Sequence, residues 1–110
     1  MITKETIINI NKEFDKGTVV NKSSLDFALS YAKSSKDWLK QLSLLVRSIS
    51  LDHVFEEGNK RTASALVMGV LEERKLAYDP QKVDALIIEI ILKNIRDIEK
   101  IRRLIRNATG

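Results

Sequence analysis

The sequence predicts an all-α fold, a compact single-domain bundle of about six helices with a short extended or hairpin-like flap before the core helices. Three observations predict it. Apolar residues recur at helical spacing along most of the 110 residues. One proline and four glycines leave few interior breaks. The one segment that reads as strand is short, the run Thr18, Val19 and Val20 followed by Asn21. A chain of this length supports one hydrophobic core, so residues 1–110 are expected to form a single domain.

In chain order, residues 3–14 place Ile7, Ile8, Ile10 and Phe14 at near-helical spacing. Residues 15–22 form the extended connection. Ser23 or Ser24 is then expected to cap a helix carrying Leu25, Ala28, Leu29 and Ala32 on one face. Asp37 can start a longer helix with Trp38, Leu42, Leu45, Val46 and Ile49 aligned, ending near Asp52 and His53. A tight loop over 54–58 leads into a helix that begins near Asn59 or Lys60 and continues through Ala63, Leu66, Val67, Val70 and Leu71 to about Lys75. Pro80 suits a helix start before Val83, Leu86, Ile87, Ile90 and Ile91. Asp97 can open the last helix, with Ile98, Ile101, Leu104 and Ile105 inward.

Composition narrows the function classes. Apolar residues at 44% and charged residues at 31% describe a folded chain rather than a disordered one. With no cysteine there is neither a disulfide framework nor a cysteine-based metal site or nucleophile, which fits a reducing compartment. The longest apolar stretches, such as 85–92, are interrupted by Glu89 and fall short of the roughly 20 residues a bilayer span needs. Residues 1–14 lack a signal-peptide core, so the expected location is cytoplasmic, with no membrane partner. The net charge of +4 resides after Leu92, where Lys93, Arg96, Lys100, Arg102, Arg103 and Arg106 meet Asp97 and Glu99. A solvated face is the first reading of that tail, a partner surface the second and nucleic-acid binding the third, because no aromatic accompanies the basic residues.

The informative stretch is His53-Val54-Phe55-Glu56-Glu57-Gly58-Asn59-Lys60-Arg61, at the junction of two predicted helices. A helix start offers unpaired N–H groups and the positive end of a dipole, which suits a phosphate. Gly58 permits close backbone approach. Asn59 can cap the helix or donate to phosphate, Lys60 adds charge, and Arg61 can grip two phosphate oxygens. Glu57 makes sense among these cations if Mg²⁺ bridges it to a di- or triphosphate. His53, the only histidine in the chain, can take a proton from a hydroxyl near neutral pH, since an ordinary imidazole titrates at about 6.5.

The stretch resembles the Fic/Doc (death-on-curing) family, whose motif is His-x-Phe-x-Asp/Glu-Gly/Ala-Asn-x-Arg, and each specified position is matched here. The resemblance implies the Fic fold, His53 as the base, Glu57 as the Mg²⁺ ligand, and Gly58, Asn59, Lys60 and Arg61 around the phosphates of ATP. It makes Phe55 a core anchor and Gly17, Thr18, Val19, Val20 and Asn21 a flap that docks the target protein by strand addition. Lys60, with Ser64 where AMP-transferring members carry a second arginine, is closer to the death-on-curing toxins. Those transfer the γ-phosphate of ATP to a Ser/Thr hydroxyl of elongation factor Tu. Gly58 stands where some of those toxins carry alanine. The autoinhibitory pattern Ser/Thr-x-x-x-Glu-Gly/Asn is absent from the sequence, so the resemblance implies an antitoxin protein as partner. AMP transfer to a protein hydroxyl, and a catalytically idle module with the same fold, are the alternatives.

Each residue alone has a plainer explanation. His53 would be a helix C-terminal residue bonding the last carbonyls, Phe55 core, and Glu57 beside Lys60 and Arg61 a weak solvated ion pair. Trp38, on an apolar face, reads as core, while Tyr31 and Tyr78 stay open between stacking and structure. The conjunction within nine residues outweighs these separate readings.

Overall fold

Capping side chains fix where most helices of this chain begin. The computed structural model describes residues 2–34 and 36–110, without the side chains of 32–34, so the inward placement of Ala32 lies outside the described residues. Six helices follow in order: α1 (Lys4–Asn11), α2 (Lys22–Ser34), α3 (Trp38–Leu51), α4 (Asn59–Glu73), α5 (Pro80–Lys93) and α6 (Ile98–Asn107). Thr3, Asp37, Asp79 and Asp97 take extended backbone conformations, and their side-chain oxygens accept from the N–H groups of Thr6, Lys40, Gln81 and Glu99. Pro80 occupies the first turn of α5, where a missing N–H costs nothing.

Two boundaries differ from the sequence expectation. α1 stops at Asn11 instead of continuing to Phe14, because the N–H groups of Phe14 and Asp15 both return to the Asn11 carbonyl and the chain turns there. α2 is capped by Asn21 rather than by Ser23 or Ser24. The Asn21 Oδ1 accepts from the Ser24 N–H at 3.3 Å, while the Ser24 hydroxyl is directed to Asp52.

α3 is the centre of the bundle and packs on α2, α4, α5 and α6. Leu39, Leu42, Leu44, Leu45, Val46 and Ile49 are buried along it, joined by the small polar residues Ser43, Ser48 and Ser50. Ser43 satisfies its hydroxyl on the Leu39 carbonyl at 2.7 Å. Trp38 sits at the edge of this core rather than within it, half-buried, with the Arg74 guanidinium 4.3 Å from its ring centre. Tyr78 has a structural role: its hydroxyl donates to Glu72, which holds the phenol above its ordinary pKa, and its backbone bridges Thr109 to tie down the C-terminus. Among the described residues the extended segment contributes one bridge, Val19 to Phe55, and no helix is long and apolar enough to cross a membrane.

Leu45 is fully buried at the middle of α3. Leu45→Ala is expected to lower the unfolding free energy by about 2–5 kcal/mol in urea titrations. A loss below about 1 kcal/mol would contradict the central role of this helix.

Candidate active site

The C-terminus of α3 is pinned at Asp52. The Asp52 carboxylate receives the Ser24 hydroxyl at 2.6 Å and the Arg96 guanidinium at 3.1 Å, and its backbone carbonyl receives the Asn21 amide at 2.8 Å. His53 follows with φ 49°, a left-handed conformation unusual for a side chain with a Cβ. It is exposed.

Val54 and Phe55 then turn inward, at 0% and 1% exposure. A polar backbone can enter a core only if its groups are paired. Two asparagines and the extended segment pair them. Asn59 Oδ1 accepts the Phe55 N–H at 2.9 Å, and Asn59 Nδ2 donates to the Phe55 carbonyl at 2.8 Å. The N–H groups of Val20 and Asn21 donate to the Val54 carbonyl at 2.7 and 3.2 Å, and the Glu56 N–H donates to the Thr18 carbonyl at 3.1 Å. Asn11, fully buried, donates from Nδ2 to the Glu57 carbonyl at 2.9 Å and to the Thr62 hydroxyl at 3.1 Å, and accepts the Gly17 N–H at 2.8 Å. Gly58 completes the turn with φ 77°, and a Cβ there would lie 3.1 Å from Asn11 Nδ2.

α4 starts at this glycine without a side-chain cap. Its first turn therefore presents backbone donors and the positive end of the helix dipole. Lys60 and Arg61 are exposed beside it and form no ion pair among the described residues. A cleft of about 500 Å³ lies over this helix start, lined by Phe14, Ser50, His53, Glu57, Gly58, Asn59, Lys60, Arg61 and Ile91. Ser50 is buried at the cleft with its hydroxyl unpartnered.

The structure brings His53, Glu57, Gly58, Asn59, Lys60 and Arg61 to one cleft. Phe55 lies beneath, in the core. Asn59 does not cap α4; it is the first residue of the helix and its side chain holds the Phe55 backbone. The 17–21 segment is not a free flap along its whole width, since its inner edge is bonded to residues 54–56. The Val19 N–H and C=O take no part in those bonds and face the opposite edge.

Glu57 is the carboxylate of the cleft, and no group of three His, Asp or Glu able to hold a metal occurs among the described residues. Mg²⁺ commonly keeps several waters and takes one or two carboxylates plus substrate phosphates. Glu57 is thus the one side chain lining this cleft that could ligate a Mg²⁺.

Sequence reasoning missed Asn11, Phe14, Ser50 and Ile91. Asn11 carried a signal: it falls four residues after Ile7, on the face that α1 buries, where an amide needs partners. Comparison with protein-family models, curated proteins and solved structures finds no match to this chain.

Two glycine substitutions should have opposite signs. Gly58→Ala meets both a left-handed backbone and the Asn11 amide, and should cost about 1–2 kcal/mol. Gly69, inside α4 with open space around it, should gain up to about 1 kcal/mol on change to alanine. Urea denaturation of both variants checks this, and a stable Gly58→Ala protein would contradict the geometry given for the turn.

Proposed function

We propose that this cleft binds the phosphates of a nucleoside triphosphate with Mg²⁺ and transfers the γ-phosphate to a Ser or Thr hydroxyl of a protein. The observation that carries the proposal is the convergence of the one histidine, one carboxylate and two cations without an ion pair among the described residues on an uncapped helix start. His53 takes the hydroxyl proton as the oxygen bonds to the γ-phosphorus; the bond from that phosphorus to the bridging oxygen breaks, and the nucleoside diphosphate leaves. The first turn of α4, Lys60 and Arg61 stabilise the charge on the transferring group. Glu57 would hold Mg²⁺, which supplies further neutralisation of the phosphate oxygens.

Phosphate transfer is favoured over AMP transfer by Lys60 and by Ser64, a small buried residue one turn beyond Arg61. By resemblance, ATP is the donor, elongation factor Tu the model target, an antitoxin the inhibitor and the cytoplasm the location. Nucleic acid is disfavoured as a partner because two arginines of the basic tail are paired with carboxylates, Arg96 with Asp52 and Arg102 with Asp37.

With γ-labelled ATP, Mg²⁺ and a cell lysate, a labelled protein band is expected, whereas α-labelled ATP should label nothing. Label from the α position alone would replace phosphotransfer by AMP transfer. His53→Ala should lower transfer by about 10²–10⁴-fold. Full transfer by that variant would remove the mechanism.

A further inference from the structure

A left-handed backbone at a residue with a Cβ persists only where the surroundings hold it in place. His53, at φ 49°, is bracketed by one residue, Asn21. The Asn21 side chain donates from Nδ2 to the Asp52 carbonyl at 2.8 Å, and its backbone N–H donates to the Val54 carbonyl at 3.2 Å. The histidine therefore sits between two carbonyls bound to the same partner. The Asp52 carbonyl shares its peptide plane with the His53 N–H, so holding that carbonyl fixes the plane from which φ is measured. The Val54 carbonyl fixes the chain beyond. A turn of φ to an ordinary negative value would redirect the His53 side chain, which now lines the cleft, and would displace the carbonyls that Asn21 holds.

The amide of Asn21 serves two purposes at once. Its Oδ1 accepts the Ser24 N–H at 3.3 Å and caps α2, which leaves Nδ2 to reach Asp52. Asp, Ser and Thr also favour helix starts but carry no amide donor beside the accepting oxygen, so capping alone does not call for asparagine. Asp52 is itself anchored, since its carboxylate receives the Ser24 hydroxyl at 2.6 Å and the Arg96 guanidinium at 3.1 Å. A carboxylate at this end of a helix meets the negative pole of the dipole, where stability favours a cation, and an ion pair this exposed adds little. What Asp52 supplies is anchorage, joining α2 and the α5–α6 connection to the end of α3.

We infer that Asn21 is a positioning residue, which keeps His53 left-handed and its side chain at the cleft. The catalytic consequence rests on reading His53 as the base of the proposed transfer. The last residue of the 17–21 segment thus has a duty directed inward, toward the histidine.

The test is the pair of variants Asn21→Asp and Asn21→Ser, each of which keeps a capping oxygen and removes the amide donor. Circular dichroism checks that helix content is retained. His53 is the one histidine, so its imidazole Cε1–H signal in proton NMR is unambiguous, and the backbone carbon shifts of residue 53 report the sign of φ. Both should move in the two variants, while the shifts of Leu45 in the middle of α3 stay in place. The kcat for transfer from γ-labelled ATP should fall about 10–100-fold with KM for ATP within about twofold, because Lys60, Arg61 and the α4 start are not bonded to Asn21. Wild-type shifts at His53 in both variants overturn the inference, and so does an unchanged kcat. If the wild-type protein transfers no label, the proposed reaction falls, and the His53 resonances alone decide whether Asn21 sets the backbone there.

Discussion

The connection between α3 and α4 carries two apolar side chains into the core, and its backbone cannot follow them there unless its polar groups are satisfied. Asn59, Asn11 and the backbone of the extended segment share that task. Asn59 closes a ring with both backbone groups of Phe55, so the helix start and the buried aromatic hold each other in place. Asn11 reaches the same loop from α1 and joins Glu57, Thr62 and Gly17, segments far apart in sequence. Leaving any of these buried groups without a partner would cost about 1–3 kcal/mol, comparable to the loss of a whole apolar contact. The turn is therefore rigid for a polar reason, and the cleft above it inherits that rigidity.

Much of the fold was legible because helix signals are local. Asp37, Asp79 with Pro80, and Asp97 each announce a start within three residues of the N–H that they satisfy. The apolar face of α3 likewise appears as simple periodicity. What could not be read depends on distant partners. Asn21 outcompetes Ser23 and Ser24 as a cap because Ser24 is drawn to Asp52 and Ser48 on α3. Residues 12–14 leave the helix because Asn11 is committed to residues 46 and 51 positions away.

The candidate site divides the same way. The residues from His53 to Arg61 are contiguous, so their gathering around a helix start followed from a single junction. Phe14, Ser50 and Ile91 come from three other elements, and no local spacing connects them to the motif. Asn59 shows the limit of reading residues by type: a residue able to cap or to bind phosphate instead anchors Phe55. The basic tail was similarly ambiguous in sequence, whereas in the fold Arg96 and Arg102 pair with Asp52 and Asp37, the residues that flank α3 at either end.

α3 packs on four other helices and ends two residues before His53. Local openings in proteins begin where few buried contacts must break, usually at frayed ends and loose loops. Here the loop that follows the histidine sends Val54 and Phe55 into the core beside α3, so withdrawing those two side chains requires the core itself to open. The bonded amide hydrogens of Phe55 and Glu56 should therefore exchange with solvent only as slowly as the core opens.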